Sequence, residues 1–338
     1  MADGSHKSAT SSAAKILLRG GVVAFPTETV YGLGADAANP AVVRRIFEIK
    51  GRPANNPLIV HVPDVEAARR CVVQWPEAAQ RLADRFWPGP LTLVLPKSER
   101  IVPEVTAGGP TVGVRVPDHP LTLEMLRSFA AAGGVGVAAP SANRSNRVSP
   151  TTAQHVRDDL GDTVELILDG GPCGVGIEST VVSLAGPVPT VLRPGGVSAE
   201  ALREVLGELR VQGGSDRGVA ASPGRQSRHY APRARVVLFG SGQEPMPTPH
   251  RAVLWVGSAE LREPLVERNR VTMPGQAPRY AEAFYRMLRA VDLQPVDEIW
   301  IELPPNAPQW QAVRDRIRRA GGEGDLPDGA PPAHREIP

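Results

Sequence analysis

Lys50-Gly51-Arg52 places two cations on either side of a glycine, just after a stretch with helical spacing. The spacing puts Lys50 in the last turn of that helix, where a positive charge complements the helix dipole. The glycine lets the backbone turn sharply. Two readings stand. Lys50 is a helix-end lysine, or Lys50 and Arg52 hold a polyphosphate, the lysine as a point charge and the arginine as a fork. Asn56 and His61 come soon after. Read alone, a histidine on an apolar strand is a structural residue before it is a catalytic one.

Five further groups of residues could do chemistry. Thr27, Glu28, Thr29 and Tyr31 come after a short apolar run at 22–26. They form either a ligand site at a strand end or a turn whose hydroxyls bond local backbone. Arg115 is a single charge in the apolar run VGVRVP. Such a charge is costly unless paired, with a carboxylate of the protein or of a substrate. Ser141 and Asn143 end another strand. Ser149-Pro150 precedes a helical stretch, and a helix start accepts anions. Glu178, Ser179 and Thr180, with Arg193 further on, repeat the pattern of polar groups at strand edges.

Several chemistries are excluded. No GxxxxGK[ST] occurs. Gly32-Leu33-Gly34 sits several residues beyond its strand and lacks the third glycine of a dinucleotide fingerprint. There is no HExxH and no GxSxG elbow. Cys71 and Cys173 form neither a CxxC nor a disulfide framework, which suits a reducing compartment. No apolar run reaches the ~18 residues of a membrane span, and the polar start has no apolar core of a signal peptide. A cytoplasmic protein with no membrane association is expected. The 38 basic residues against 36 acidic ones leave a net charge of +2, too small a field for a protein that coats nucleic acid.

The positioning elements must come from an α/β fold. In residues 9–209, apolar strands at 22–26, 58–62, 91–96, 112–117, 135–140, 164–170, 179–184 and 189–195 alternate irregularly with helices. The helices are expected at 11–18, 40–49, 76–86, 121–131, 151–160 and 198–209, after a loose polar tail at 1–8. Strands often succeed strands, so a twisted mixed sheet is expected rather than a doubly wound parallel one. Residues 210–232 are rich in glycine, proline and serine and read as a linker. Residues 233–320 read as a small open α/β, Rossmann-like domain. Its strands are RVVLFG, RAVLWVG and EIWIEL, and its helices lie at 278–290 and 308–320. Residues 321–338 read as a flexible tail.

In this order, PTETVYGLGADA, KGRPANNPLIVH, PGPLTLVL, VGVRVPDHP, PSANRSNRVSPT, GIESTVV and LRPGG resemble the threonylcarbamoyl-AMP synthase family, which carries the YrdC-like domain. SPGRQSRHYAP and the domain after it resemble the longer, two-domain form of that family. The resemblance implies that threonine and bicarbonate give N-carboxythreonine, which attacks the α-phosphate of ATP and releases pyrophosphate. A partner transferase complex then moves the threonylcarbamoyl group to an adenosine of tRNA. Carried over by position, Lys50, Arg52, Ser141 and Asn143 form the nucleotide signature, with Lys50 and Arg52 nearest the chemistry. Asn56, Thr111, Ser149 and Arg193 fall with them on the ATP side, and Tyr230 of the linker would close over the nucleotide. Thr29, His61, Arg115, Ser179 and the backbone at Ala139 fall on the threonine side. No protein ligands for a metal are evident, so Mg²⁺ is expected to arrive with ATP.

Two other functions compete. An RNA-binding module has 34 arginines to draw on, but the 15 aromatic residues do not interleave with them, so base stacking is poorly supported and no stable nucleic-acid binding is expected. Carbamoyl transfer from carbamoyl phosphate would call for zinc-finger and acylphosphatase-like segments, which the chain lacks. The linker's Arg225, Arg228, His229 and Tyr230 are the reason to expect a lid rather than a plain tether.

Overall fold

The computed structural model describes residues 2–212 and 229–321. The first domain is built on ten strands: β1 (Val23–Phe25), β2 (Gly32–Asp36), β3 (Ile59–His61), β4 (Leu91–Pro96), β5 (Thr111–Arg115), β6 (Val137–Ala139), β7 (Leu166–Ile167), β8 (Thr180–Ser183), β9 (Thr190–Arg193) and β10 (Arg210–Val211). Their order is β10-β9-β8-β4-β5-β3-β6-β2-β1-β7. The sheet is mixed. β3 pairs β5 in parallel and β6 antiparallel, while β4 pairs β8 in parallel and β5 antiparallel. That is the arrangement a chain of irregularly alternating strands and helices calls for.

Seven helices surround this sheet: α1 (Ala2–Leu18), α2 (Pro40–Lys50), α3 (Val65–Arg70), α4 (Glu77–Phe86), α5 (Pro120–Ala131), α6 (Ala153–Leu160) and α7 (Ala199–Leu206). Helix α2 matters most to the site. Asn39 caps its start by accepting from the amides of Ala41 and Val42, and Val42, Val43, Ile46 and Phe47 bury one face. It ends at Gly51, which is left-handed at φ 59°. Only glycine adopts that conformation without strain, and the turn sends Arg52 back toward the sheet.

Several expectations are corrected. Helix α1 begins at Ala2, so residues 2–8 are not a loose tail. The glycine-rich segment after Tyr31 is a strand, β2, paired with β1. A Cβ on Gly32 or Gly34 would lie 2.9 or 2.7 Å from the Phe25 ring. These glycines therefore serve close packing across a sheet, not a phosphate turn. Helix α3, capped by Asp64, has no counterpart among the expected elements. Helix α6 begins at Ala153 with Thr152 as its cap, so Ser149 does not sit at a helix start. Strand β10 pairs with β9, carrying the sheet two residues beyond Leu209.

The second domain has a five-stranded sheet: β11 (Arg235–Phe239), β12 (Arg251–Val256), β13 (Leu265–Glu267), β14 (Arg270–Met273) and β15 (Glu298–Glu302), in the order β11-β15-β12-β14-β13. Four strands are parallel, and β13 adds an antiparallel edge through a hairpin with β14. That hairpin is absent from the sequence reading, because neither strand carries a long apolar run. Helices α8 (Ala277–Asp292) and α9 (Gln311–Gly321) complete the domain. The expected tail lies outside the described residues from 322 onward, as does the linker over 213–228, including Arg225 and Arg228.

The two domains share apolar surface. Val30, Val148 and Ile177 of the first domain pack into the core built around Tyr280, Phe284 and Tyr285 of the second. Among the described residues, no helix is long and apolar enough to cross a membrane.

Candidate active site

A cleft opens where the ends of β1, β3, β6, β8 and β9 meet the segment that enters the second domain. Of the residues placed on the threonine side, Thr29, His61, Arg115, Ala139 and Ser179 all line it. Of those placed on the nucleotide side, Arg52, Ser141, Arg193 and Tyr230 line it. Lys50, Asn56, Thr111, Asn143 and Ser149 lie outside the lining.

Strand pairing explains the threonine side. His61 and Arg115 are register partners across β3 and β5. The Arg115 guanidinium donates to Thr29 Oγ1 at 3.0 Å and to the Gly89 carbonyl at 3.2 Å. It also lies 2.7 Å from the Glu28 carboxylate. The two are in ion-pair contact, yet the atoms that meet, Arg115 Nη2 and Glu28 Oε1, are not aligned for a hydrogen bond. The lone charge in this strand is thus paired within the protein, at the wall of the cleft. The Thr27 hydroxyl ties the turn together, bonding Thr29 Oγ1 at 2.8 Å and the Val30 carbonyl at 2.6 Å.

His61 is neutral. Burial, with Arg115 beside it, pushes its pKa down to about 3. Its Nδ1 lies 3.2 Å from the Ile59 carbonyl, and the Phe25 ring packs against it edge-on at 5.6 Å. Ser179 shares a 2.8 Å hydrogen bond with Thr92.

On the nucleotide side, Arg52 donates to the carbonyls of Asn56 and Pro57 at 3.3 and 3.2 Å. Burial lowers its pKa to about 10, so it stays charged at neutral pH. Arg193 is buried and donates to the carbonyl and hydroxyl of Ser179. Lys50 is engaged elsewhere. Its ammonium donates to the carbonyls of Ser141 and Asn143 and to Asn143 Oδ1. Three acceptors match the three protons of an ammonium, although burial and the nearby Arg52 push the lysine well below its ordinary pKa. In this arrangement Lys50 shapes the loop that carries Ser141. The Ser141 hydroxyl in turn donates to Asn143 Oδ1 at 2.6 Å. Asn56 is buried with its Oδ1 unpartnered among the described residues, and Thr111 opens β5 at a half-buried position.

Tyr230 closes one wall. It is fully buried and left-handed at φ 62°, which costs energy in a non-glycine residue. Packing holds it there. Its ring lies 5.7 Å from Tyr285, 4.1 Å from His229 and 5.4 Å from the Arg316 guanidinium. The amides of His229 and Ala231 donate to the carbonyls of Arg319 and Asn146, so this short segment is pinned to both domains.

Sequence reasoning missed the partners of Glu178. Its carboxylate accepts from Ser149 Oγ at 2.6 Å, from Arg316 Nε at 2.8 Å and from Tyr285 Oη at 3.0 Å. Burial pushes this carboxyl up. Arg316, Arg193 and the hydrogen bonds outweigh that and hold it at about 2. The one available signal was a glutamate inside the otherwise small and apolar GIESTVV. A roomier groove lies between the domains beside Arg144, Arg147 and Arg289. None of the residues assigned to ATP or threonine lines it.

Comparison with known proteins agrees with this geometry. The family described as "Telomere recombination" matches residues 15–195. The family described as "Threonylcarbamoyl-AMP synthase, C-terminal domain" matches residues 197–322. The chain is 41% identical over 324 residues to the threonylcarbamoyl-AMP synthase of Bacillus subtilis, spanning 92% of each chain. It is 41% identical over 328 residues to that of Pyrococcus abyssi, spanning 92% of this chain and 93% of the other. The crystal structure of P. abyssi Sua5 complexed with L-threonine superposes with a TM-score of 0.83 at 38% identity, over 92% of this chain and 94% of that one. The chain belongs to the threonylcarbamoyl-AMP synthase family, in its two-domain form.

Proposed function

We propose that this chain makes L-threonylcarbamoyl-AMP from L-threonine, bicarbonate and ATP with release of pyrophosphate, acting as a nucleotidyltransferase. This is the first step in forming threonylcarbamoyladenosine in tRNA. The observation that carries the reading is one cleft lined by Arg115 and Thr29 together with Arg52, Arg193 and Ser141, with Tyr230 in its wall. Family membership over both domains supports it, as does the threonine bound in the similar P. abyssi structure.

The reaction has two stages. The amine of threonine adds to the carbon of bicarbonate, water leaves, and N-carboxythreonine forms. An oxygen of the new carboxylate then attacks the α-phosphorus of ATP. The bond from that phosphorus to the bridging oxygen of the β-phosphate breaks, and the electron pair leaves with pyrophosphate. Adenylation of this kind needs positioning and cations more than covalent help. Arg115, steadied by Glu28, and Thr29 hold the carboxylate of threonine. Arg52 and Arg193 meet the charge that shifts onto the pyrophosphate. Neutral His61 adds no competing charge beside the amine. Tyr230 excludes water, which otherwise hydrolyses both the carbamate and the adenylate.

Mg²⁺ enters only as the ion that ATP carries. Among the described residues, Glu178 is the carboxylate that lines the cleft and Glu28 lies against Arg115; each is committed to an arginine, so this donor set does not fit a protein-built metal site. A tRNA-modifying transferase complex would receive the product. The test is pyrophosphate release by the purified chain, which should require threonine and bicarbonate together. Release that ignores threonine would reject the reading.

A further inference from the structure

Glu178 poses an electrostatic difficulty for the proposed chemistry. It is a buried carboxylate that lines the same cleft as Arg52 and Arg193, and a polyphosphate must enter beside it. At short range in a buried setting, like charges repel strongly. The charge that answers it comes from the other domain. Arg316 of α9 is fully buried, and its Nε donates to Glu178 Oε2 at 2.8 Å. Its Nη1 reaches Asp315 at 2.6 Å, which also accepts from Arg319. Arg316 Nη2 has no hydrogen-bond partner among the described residues. Tyr285 of α8 gives Glu178 a further bond.

Of the positive charges near this carboxylate, Arg316 acts on it most strongly and Arg193 next. Without Arg316, Glu178 would offset Arg193 instead. Geometry thus ties the electrostatic character of a first-domain cleft to one arginine of the second domain.

We propose that Arg316 is a positioning and charge-screening residue for ATP: it neutralises Glu178 so that the charges of Arg193 and Arg52 act on the polyphosphate, and this is one catalytic purpose of the second domain. The idea rests on the reading of the cleft as an ATP site. It predicts a selective effect. ATP carries several negative charges, whereas threonine is a zwitterion of zero net charge, so ATP alone should feel an unscreened Glu178.

The test uses the full chain and four variants: Arg316→Met, Arg316→Lys, Glu178→Gln and the double variant Arg316→Met/Glu178→Gln. Calorimetric titration gives the Kd for a non-hydrolysable ATP analogue and, separately, for threonine. Thermal melts show that each variant is folded. Arg316→Met should weaken the analogue by about ten- to a hundredfold, where each factor of ten is about 1.4 kcal/mol, and leave threonine within about threefold. Arg316→Lys and Glu178→Gln should each stay within about threefold for both ligands. The double variant should recover most of the lost analogue affinity although it lacks the ion pair altogether. A merely structural role predicts the opposite, since removing both partners restores no contact. A double variant as weak as Arg316→Met, or equal losses for both ligands, overturns the inference. If the unaltered chain binds the analogue nowhere, the ATP reading beneath it falls instead.

Discussion

The Lys50 ammonium donates to the main-chain carbonyl of Ser141 at 2.5 Å, across 91 residues of sequence. A residue that the sequence offers as a phosphate cation thus supports the loop that carries a cleft serine. Lys50→Ala should therefore cost stability as well as ATP binding. Removing a charged donor from three acceptors, two of them buried, should destabilise the first domain by about 3 kcal/mol. For a domain of about 200 residues that is a Tm drop of roughly 6–12 °C. Differential scanning calorimetry checks it. An unchanged Tm with lost ATP affinity would mean that Lys50 leaves these carbonyls to grip phosphate directly.

Arg115 should discriminate between the substrates. Its fork meets Thr29 and Glu28 at the end of β5, whereas Arg52 bonds the carbonyls of Asn56 and Pro57. Arg115→Ala should raise the KM for threonine by about ten- to a hundredfold, the worth of one charge-assisted contact, and change the KM for ATP by less than about threefold. Equal losses would contradict the assignment of Arg115 to the amino-acid carboxylate.

Tyr230 should act through its ring. The ring packs on Tyr285 and Arg316, and this packing outweighs the strain of its left-handed backbone. Tyr230→Ala should lower the yield of adenylate per pyrophosphate released by about tenfold, because water reaches the product. Tyr230→Phe should stay near the unaltered protein. Comparing the two products by chromatography decides the matter, and a Phe variant as leaky as Ala would shift the role to the hydroxyl.

Acid should weaken the fold in a defined window. His155 Nδ1 accepts from the Thr151 amide at 3.2 Å, which requires the neutral ring. Burial, with Arg289 nearby, lowers its pKa from 6.5 to about 4. The unfolded chain takes up a proton at higher pH than the folded one. Stability is therefore intact above pH 6.5 and is lost as pH falls from there toward about 4. Tm measured across that range should fall with pH, and His155→Gln should flatten the slope. A slope that is unchanged in the variant would show that other groups dominate.

Much of the fold and site is legible from residues alone. Apolar runs such as LTLVLP and VGVRVP give their strands because a sheet buried on both faces needs continuous apolar side chains. The polar clusters at strand ends do converge on one cleft, from Thr29 to Arg193, because mixed strands bring those ends together. The illegible parts have physical reasons. Strand β2 is hidden because Gly32 and Gly34 make room for Phe25, and glycine reads as a turn. The committed state of Lys50 depends on carbonyls 91 to 93 residues away. Glu178 finds Arg316 across 138 residues and a domain boundary, and no local pattern encodes such a pair.

The central claim is tested most directly by its product. The purified chain, incubated with ATP, L-threonine and ¹³C-bicarbonate, should yield L-threonylcarbamoyl-AMP that carries the heavy carbon, detected by mass spectrometry alongside an equal amount of pyrophosphate. Omitting threonine should abolish both products. ATP consumed to AMP and pyrophosphate with no labelled threonylcarbamoyl-AMP, in a protein shown to be folded, would contradict the account.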